Sequence, residues 1–161
     1  MSANIDTMIY VGEVPWHGLG TQYEVAPKSA EEIIKGADLG WEVGAAPMNT
    51  DFHGHIHGYH AIYREDTGEV LGVVKTAKDD PILVQNADTF NAFDKLIGKD
   101  IEVDTAASLG RGENVFGCFK LHEKFKVMDD DVDHYFVVVN DHLKADGKIT
   151  ILNTPIRVVC Q

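Results

Sequence analysis

Apolar positions along this chain fall in short runs of period two far more often than in helical stripes. Residues 8–11 and 135–139 are continuous apolar runs. Residues 41–48, 59–64, 69–74, 101–109, 114–122, 125–128 and 149–152 read as extended from alternation and β-branched or aromatic content. Turn chemistry joins them in pairs. Asp66-Thr-Gly68 predicts a hairpin between 59–64 and 69–74, and Gly110-Arg-Gly112 a second between 101–109 and 114–122. Ala145-Asp-Gly147 turns the run 135–139, read as a central strand buried on both faces, into 149–152. Tyr23 and Val25 mark one more short extended piece.

Two stretches carry a 3.6-residue stripe. Ser29 and Glu32 form a capping box ahead of Ala30, Ile33, Ile34 and Ala37, with Gly40 as the stop, which predicts a helix over 30–39. Asn86 or Asp88 caps a second helix over 87–97, where Phe90, Phe93, Leu96 and Ile97 share a face before Gly98. Thr154-Pro155 has the form of an N-cap and a first-turn proline, so 156–161 begins a third helix or, given its β-branched residues, a terminal strand. The expectation is one α+β domain over 1–161: a mainly antiparallel sheet built from hairpins, with two or three helices packed on it.

Four segments are candidates for chemistry. Val14-Pro-Trp-His-Gly-Leu-Gly-Thr21 is a shaped loop, expected to tuck the Trp16 indole against the core; Trp16 and His17 are also candidates to line a ligand site. Asp51-Phe-His-Gly-His-Ile-His-Gly-Tyr-His60, if extended, places His53, His55 and His57 on one face, and with His60 or Asp51 as a third ligand they could hold zinc, nickel or copper. Gly54 and Gly58 favour instead a hairpin tip that merely tolerates histidines, with no stoichiometric metal. Arg111 is expected to project from its glycine turn, where a solvated side chain is the favoured reading and a phosphate contact the alternative. Asp129, Asp130, Asp131 and Asp133 read as a solvated acidic turn that could bind a divalent cation loosely. No nucleophile elbow, phosphate-cradling loop or zinc signature occurs, so catalysis is not expected; a Cys160 nucleophile would need the fold to bring it to His17 or His142.

Charge narrows the partners. With 26 acidic against 14 basic residues in 161, the formal charge of -12 repels phosphate backbones at long range. Nucleic-acid contact then needs a local patch, for which Arg111, Lys120, Lys124 and Lys126 are the candidates, with Lys75 and Lys78 as further cations that asymmetric placement could add. Cys118 and Cys160 sit in apolar surroundings and read as reduced thiols. No apolar run approaches a membrane span, and the start lacks a basic and apolar leader, so a cytoplasmic protein is expected.

The tryptophan loop is preceded by Met8-Ile-Tyr-Val-Gly-Glu13, and the chain closes on Thr154-Pro-Ile-Arg-Val-Val-Cys-Gln161. Together with Asp66-Thr-Gly-Glu-Val-Leu-Gly-Val-Val74 and Val84-Gln-Asn86, this order resembles the phage/plasmid-like family that carries domain of unknown function 932, found in bacterial viruses and mobile elements. The resemblance covers essentially the whole chain. Members run on past the last motif, so the chain is read as a short member or a fragment. The resemblance implies a non-enzymatic accessory factor in DNA replication or recombination, binding or annealing single strands in the host cytoplasm, with a homo-oligomer as one form. Arg157, inside the last motif, joins Trp16 and His17 as a ligand candidate. The alternatives are a protein- or small-ligand-binding module that sequesters a host factor, and a metal-dependent enzyme using His53, His55 and His57. Only the last calls for a cofactor, a divalent metal.

Overall fold

The protein is described by a computed structural model over residues 4–76, 80–123, 125–127 and 130–155. The α+β expectation holds at the level of class, with strands dominating two short helices. The strands are β1 (Ile5–Val11), β2 (Thr21–Tyr23), β3 (Val43–Thr50), β4 (Gly54–Arg64), β5 (Val70–Lys75), β6 (Ile101–Leu109), β7 (Asn114–Leu121), β8 (Phe125–Val127), β9 (Asp130–Val132), β10 (Tyr135–Asp141) and β11 (Thr150–Thr154). A six-stranded sheet has the order β11-β10-β7-β6-β1-β2, a three-stranded sheet the order β3-β4-β5, and β8 and β9 form a separate ribbon.

All three predicted turns are present. β4 and β5 pair antiparallel across Asp66-Thr-Gly68, β6 and β7 across Gly110-Arg-Gly112, and β10 and β11 across Ala145-Asp-Gly147. Among the described strands β1 and β2 pair parallel, with Ile9 opposite Thr21, while the other strand pairs are antiparallel. Pro47 sits in β3, at an edge of the small sheet, where a missing N–H is tolerated, and the pairing with β4 shifts register between Pro47 and Asn49.

Both helices are shorter than the sequence predicts. α1 spans Ala30–Gly36, and its start is the expected cap: Ser29 Oγ accepts from the Glu32 N–H at 3.2 Å. The Glu32 carboxylate reaches back one residue further than in a capping box, accepting from the Lys28 N–H at 2.8 Å. The helix ends early because Asp38 takes φ 54, left-handed backbone that turns the chain before Gly40. α2 spans only Asn86–Asn91, after which Phe93, Leu96 and Ile97 continue in turns. Its N-cap is Gln85, with no side-chain capping bond, so neither Asn86 nor Asp88 plays that part.

The large sheet separates two apolar clusters. On one face the cross-strand row Ile9, Ala106, Gly117 and Val138 meets α1, α2 and the small sheet, in a cluster that includes Ile33, Leu39, Trp41, Ile62, Leu71 and Phe90. Gly117 belongs to that row because a Cβ there would come within 2.9 Å of both Phe90 and Phe119. Each of those phenylalanines is fully buried, and burial of this kind contributes roughly 1.5–3 kcal/mol per side chain. The opposite face carries Met8, Tyr10, Ala107, Phe116, Cys118, Tyr135 and Val137. Cys118 is buried as expected; Cys160, Lys78 and the segment 156–161 lie outside the described residues.

Candidate functional site

The tryptophan loop is ordered, but it is turned outward. Pro15 is the buried residue of the loop, while Trp16 keeps 69% of its surface exposed. The expectation of a tucked indole is corrected here, and the parallel pairing of β1 with β2 explains why. Gly12 to Gly20 must carry the chain back alongside β1 instead of folding over the core. The Gly18 N–H donates to the Pro15 carbonyl at 2.9 Å, closing a turn with Trp16 and His17 at its centre. The Leu19 N–H donates to His17 Nδ1 at 3.0 Å, and the Gln22 amide ties the loop's end to the Gly12 carbonyl at 2.7 Å. Gly20 has φ 99, and a Cβ there would press on Met8 at 3.1 Å, so the return into β2 requires glycine. The Trp16 and His17 rings meet edge to face at 5.3 Å, and Val14 and Leu19 of the same loop are exposed.

The core tryptophan is Trp41, 7% exposed, with the Arg64 guanidinium 4.2 Å above its ring. Arg64 also grips Asp66 with two donors, at 3.0 and 2.8 Å, and reaches Asp6 at 3.1 Å. Arg111 is half exposed at its turn, as expected, but its guanidinium is engaged. It donates to the Val70 and Leu71 carbonyls at 3.0 and 2.8 Å and pairs with Glu113 at 2.8 Å, locking the Gly110-Arg-Gly112 turn to β5. Burial pushes the Glu113 carboxyl upward, yet the Arg111 backbone N–H and guanidinium outweigh it and hold the group below its ordinary value. Lys120 is paired with Asp133 at 2.6 Å, a bond that raises its pKa. Lys124, Arg157 and the side chain of Lys126 lie outside the described residues. The cations of the expected patch that are described are thus engaged with carboxylates.

The histidine segment divides. His53 lies in the turn before β4, where its N–H donates to Thr50 Oγ1, so it is not on the strand that carries His55 and His57. Those two rings meet edge to face at 4.8 Å. His60 is buried, lines a cavity of about 370 Å³ with His55 and Asp80, and has no hydrogen-bond partner at Nδ1. Among the described residues no group of three His, Cys, Asp or Glu side chains is arranged to hold a metal ion.

A buried polar network was not foreseen. Asn86 donates both amide protons, to the Leu39 carbonyl at 3.2 Å and the Trp41 carbonyl at 3.1 Å. Its Oδ1 is left to accept from His142 Nε2 at 3.0 Å, which fixes the proton of the neutral imidazole on Nε2. Burial lowers the His142 pKa to about 4, against the pull of Asp141. Beside it Gln85 pairs twice with the backbone of Val43 at 2.9 Å, and Asn140 donates to the Val84 carbonyl and Thr89 Oγ1. The run of two amides at 85 and 86 ahead of an apolar helix was the signal available in the sequence. Its partners, far off in the chain, were not.

A family model described as Domain of unknown function (DUF932) matches residues 78–161. The matched part contains α2, β6 to β11, the Asn86–His142 pair and the Gly110-Arg-Gly112 turn, while the tryptophan loop and histidine hairpin precede it. No curated protein and no solved structure matches the chain.

Proposed function

From the premise that this chain belongs to the DUF932 family, we propose that it is a non-enzymatic binding module whose contact with a protein partner is the tryptophan loop. The observation that carries this reading is Trp16, an indole 69% exposed on a loop that its own hydrogen bonds hold in shape. A fixed, exposed tryptophan loses little conformational freedom on binding and is the residue type most enriched among interface hot spots. Val14 and Leu19, exposed in the same loop, add apolar surface to it. The net charge of -12, with Glu13 and Glu24 flanking the loop in sequence, favours a partner with a basic surface. The engaged state of Arg111 and Lys120 favours a protein over a phosphate backbone. In this reading an accessory role in replication or recombination of a bacterial virus or mobile element, in the host cytoplasm, is exerted through a protein of that machinery.

The test is affinity capture with the wild-type chain and with Trp16→Ala, followed by titration of the purified partner against both. Truncating a hot-spot tryptophan weakens the purified pair by about 30-fold or more. Equal affinity for both chains, or capture of single-stranded DNA that resists Trp16→Ala, overturns the reading.

A further inference from the structure

A cavity of about 510 Å³ opens where the Gly110-Arg-Gly112 turn meets the end of β10, lined mainly from the sheet face opposite the helices, with Leu143 reaching it from the helix-side cluster. Its floor is Leu109, Phe116, Val137, Val139 and Leu143, contributed by β6, β7, β10 and the turn that follows β10. Its size falls within the range of small-molecule sites. The polar groups at its rim are Asn4, Glu113 and Asn114. Glu113 is occupied by Arg111, which takes Oε1 through its side chain and Oε2 through its backbone N–H at 2.6 Å. The two asparagine amides, by contrast, make no side-chain hydrogen bond among the described residues. No lysine or arginine lines the cavity among the described residues, so nothing there compensates a phosphate or carboxylate.

We propose that this cavity is a binding site for an uncharged, planar heterocycle bearing an adjacent hydrogen-bond donor and acceptor. The flat sheet face gives the ring its floor, with Phe116 as the aromatic surface against it. Each asparagine amide offers one donor and one acceptor side by side, the pairing that recognises the exposed edge of adenine. A purely apolar guest fills the same floor but strips water from both amides without replacing its hydrogen bonds. An anionic guest meets the net negative field of the chain and the Glu113 side of the rim.

The experiment titrates the full chain with adenosine, with adenosine monophosphate and with the neutral apolar fluorophore N-phenyl-1-naphthylamine. Two variants are compared, Val139→Phe to fill the floor and Asn114→Leu to remove an amide, each checked for wild-type circular dichroism and melting. Adenosine binds, the monophosphate binds several-fold more weakly, and Val139→Phe abolishes both. Asn114→Leu weakens adenosine about tenfold, as expected for a lost hydrogen bond that leaves the guest unpaired, and leaves the fluorophore within about twofold. Should Val139→Phe fail to fold, the Asn114→Leu contrast between adenosine and fluorophore decides alone. Failure of adenosine to bind at millimolar concentration, tighter binding of the monophosphate, or equal loss of adenosine and fluorophore in Asn114→Leu overturns the assignment.

Discussion

His142 Nε2 lies 3.0 Å from Asn86 Oδ1, and through that bond the end of β10 is held to the first turn of α2. Asn86 in turn holds the chain between α1 and β3 by two carbonyls. One side chain therefore joins three parts of the core. Asn86→Leu, similar in volume, leaves the Leu39 and Trp41 carbonyls and His142 Nε2 without their partner, at about 1–3 kcal/mol for each buried group. A fall in unfolding free energy of about 3 kcal/mol or more by urea titration is expected, and a change under about 1 kcal/mol would show the network to be dispensable.

The same site makes stability depend on pH. The His142 pKa is about 4 in the fold against 6.5 for the ordinary group, so above pH 6.5 both states are neutral and nothing is lost. As pH falls from 6.5 towards 4 the unfolded chain takes up a proton that the folded chain refuses, and stability declines by up to about 3 kcal/mol. Urea titrations of the wild type and of His142→Gln across that window isolate the contribution. The wild type carries the steeper slope; parallel slopes would contradict the assignment.

Gly112 has φ 116, and a Cβ there would lie 2.8 Å from the Trp41 ring. Gly68 has φ 71 and open space around it. Gly68→Ala should therefore cost only backbone strain, about 1 kcal/mol, while Gly112→Ala adds a clash with a packed indole and costs about 2 kcal/mol or more. Thermal unfolding of the two variants gives the comparison, and equal losses would mean that Trp41 yields freely.

Arg111→Ala is expected to lower stability by about 1–2 kcal/mol, because the Val70 and Leu71 carbonyls and Glu113 lose their donor. Arg111→Lys should not restore it, since one ammonium cannot span two carbonyls and a carboxylate. Any binding of single-stranded DNA should keep its salt dependence in both variants. A slope reduced by about one phosphate contact would return Arg111 to the role its glycine turn suggested.

The histidine hairpin should hold no tightly bound metal in stoichiometric amount, since His53 lies in the turn outside the strand that carries His55 and His57 and, among the described residues, no three ligating side chains are arranged together. Elemental analysis after exhaustive dialysis decides it. One zinc or nickel per chain, lost on His55→Ala, would reverse the prediction.

What the sequence revealed follows the range of each interaction. The Ser29 cap and the turn at Asp66-Thr-Gly68 were legible because the groups that make them lie within a few residues. The fate of the two tryptophans was not, since nothing local distinguishes Trp41, buried under Arg64, from Trp16, carried outward by a parallel return. Arg111 looked unpaired for the same reason: its carbonyl partners on β5 lie some forty residues away in the chain. α2 looked longer than it is because Phe93 and Ile97 keep a helical spacing while packing from turns. Of the candidate site, the loop's order was legible from its glycines and its outward face was not.

The central claim is that Trp16 is a contact and not merely exposed. The most direct measurement replaces it with the photo-reactive residue p-benzoylphenylalanine and irradiates the intact chain in cells. The same residue at position 52, where Phe52 is 92% exposed on the histidine turn, serves as the control. The account predicts a discrete protein adduct, resistant to nuclease, from position 16 and not from position 52. Absence of any adduct at 16, an equal adduct at 52, or an adduct removed by nuclease would contradict it.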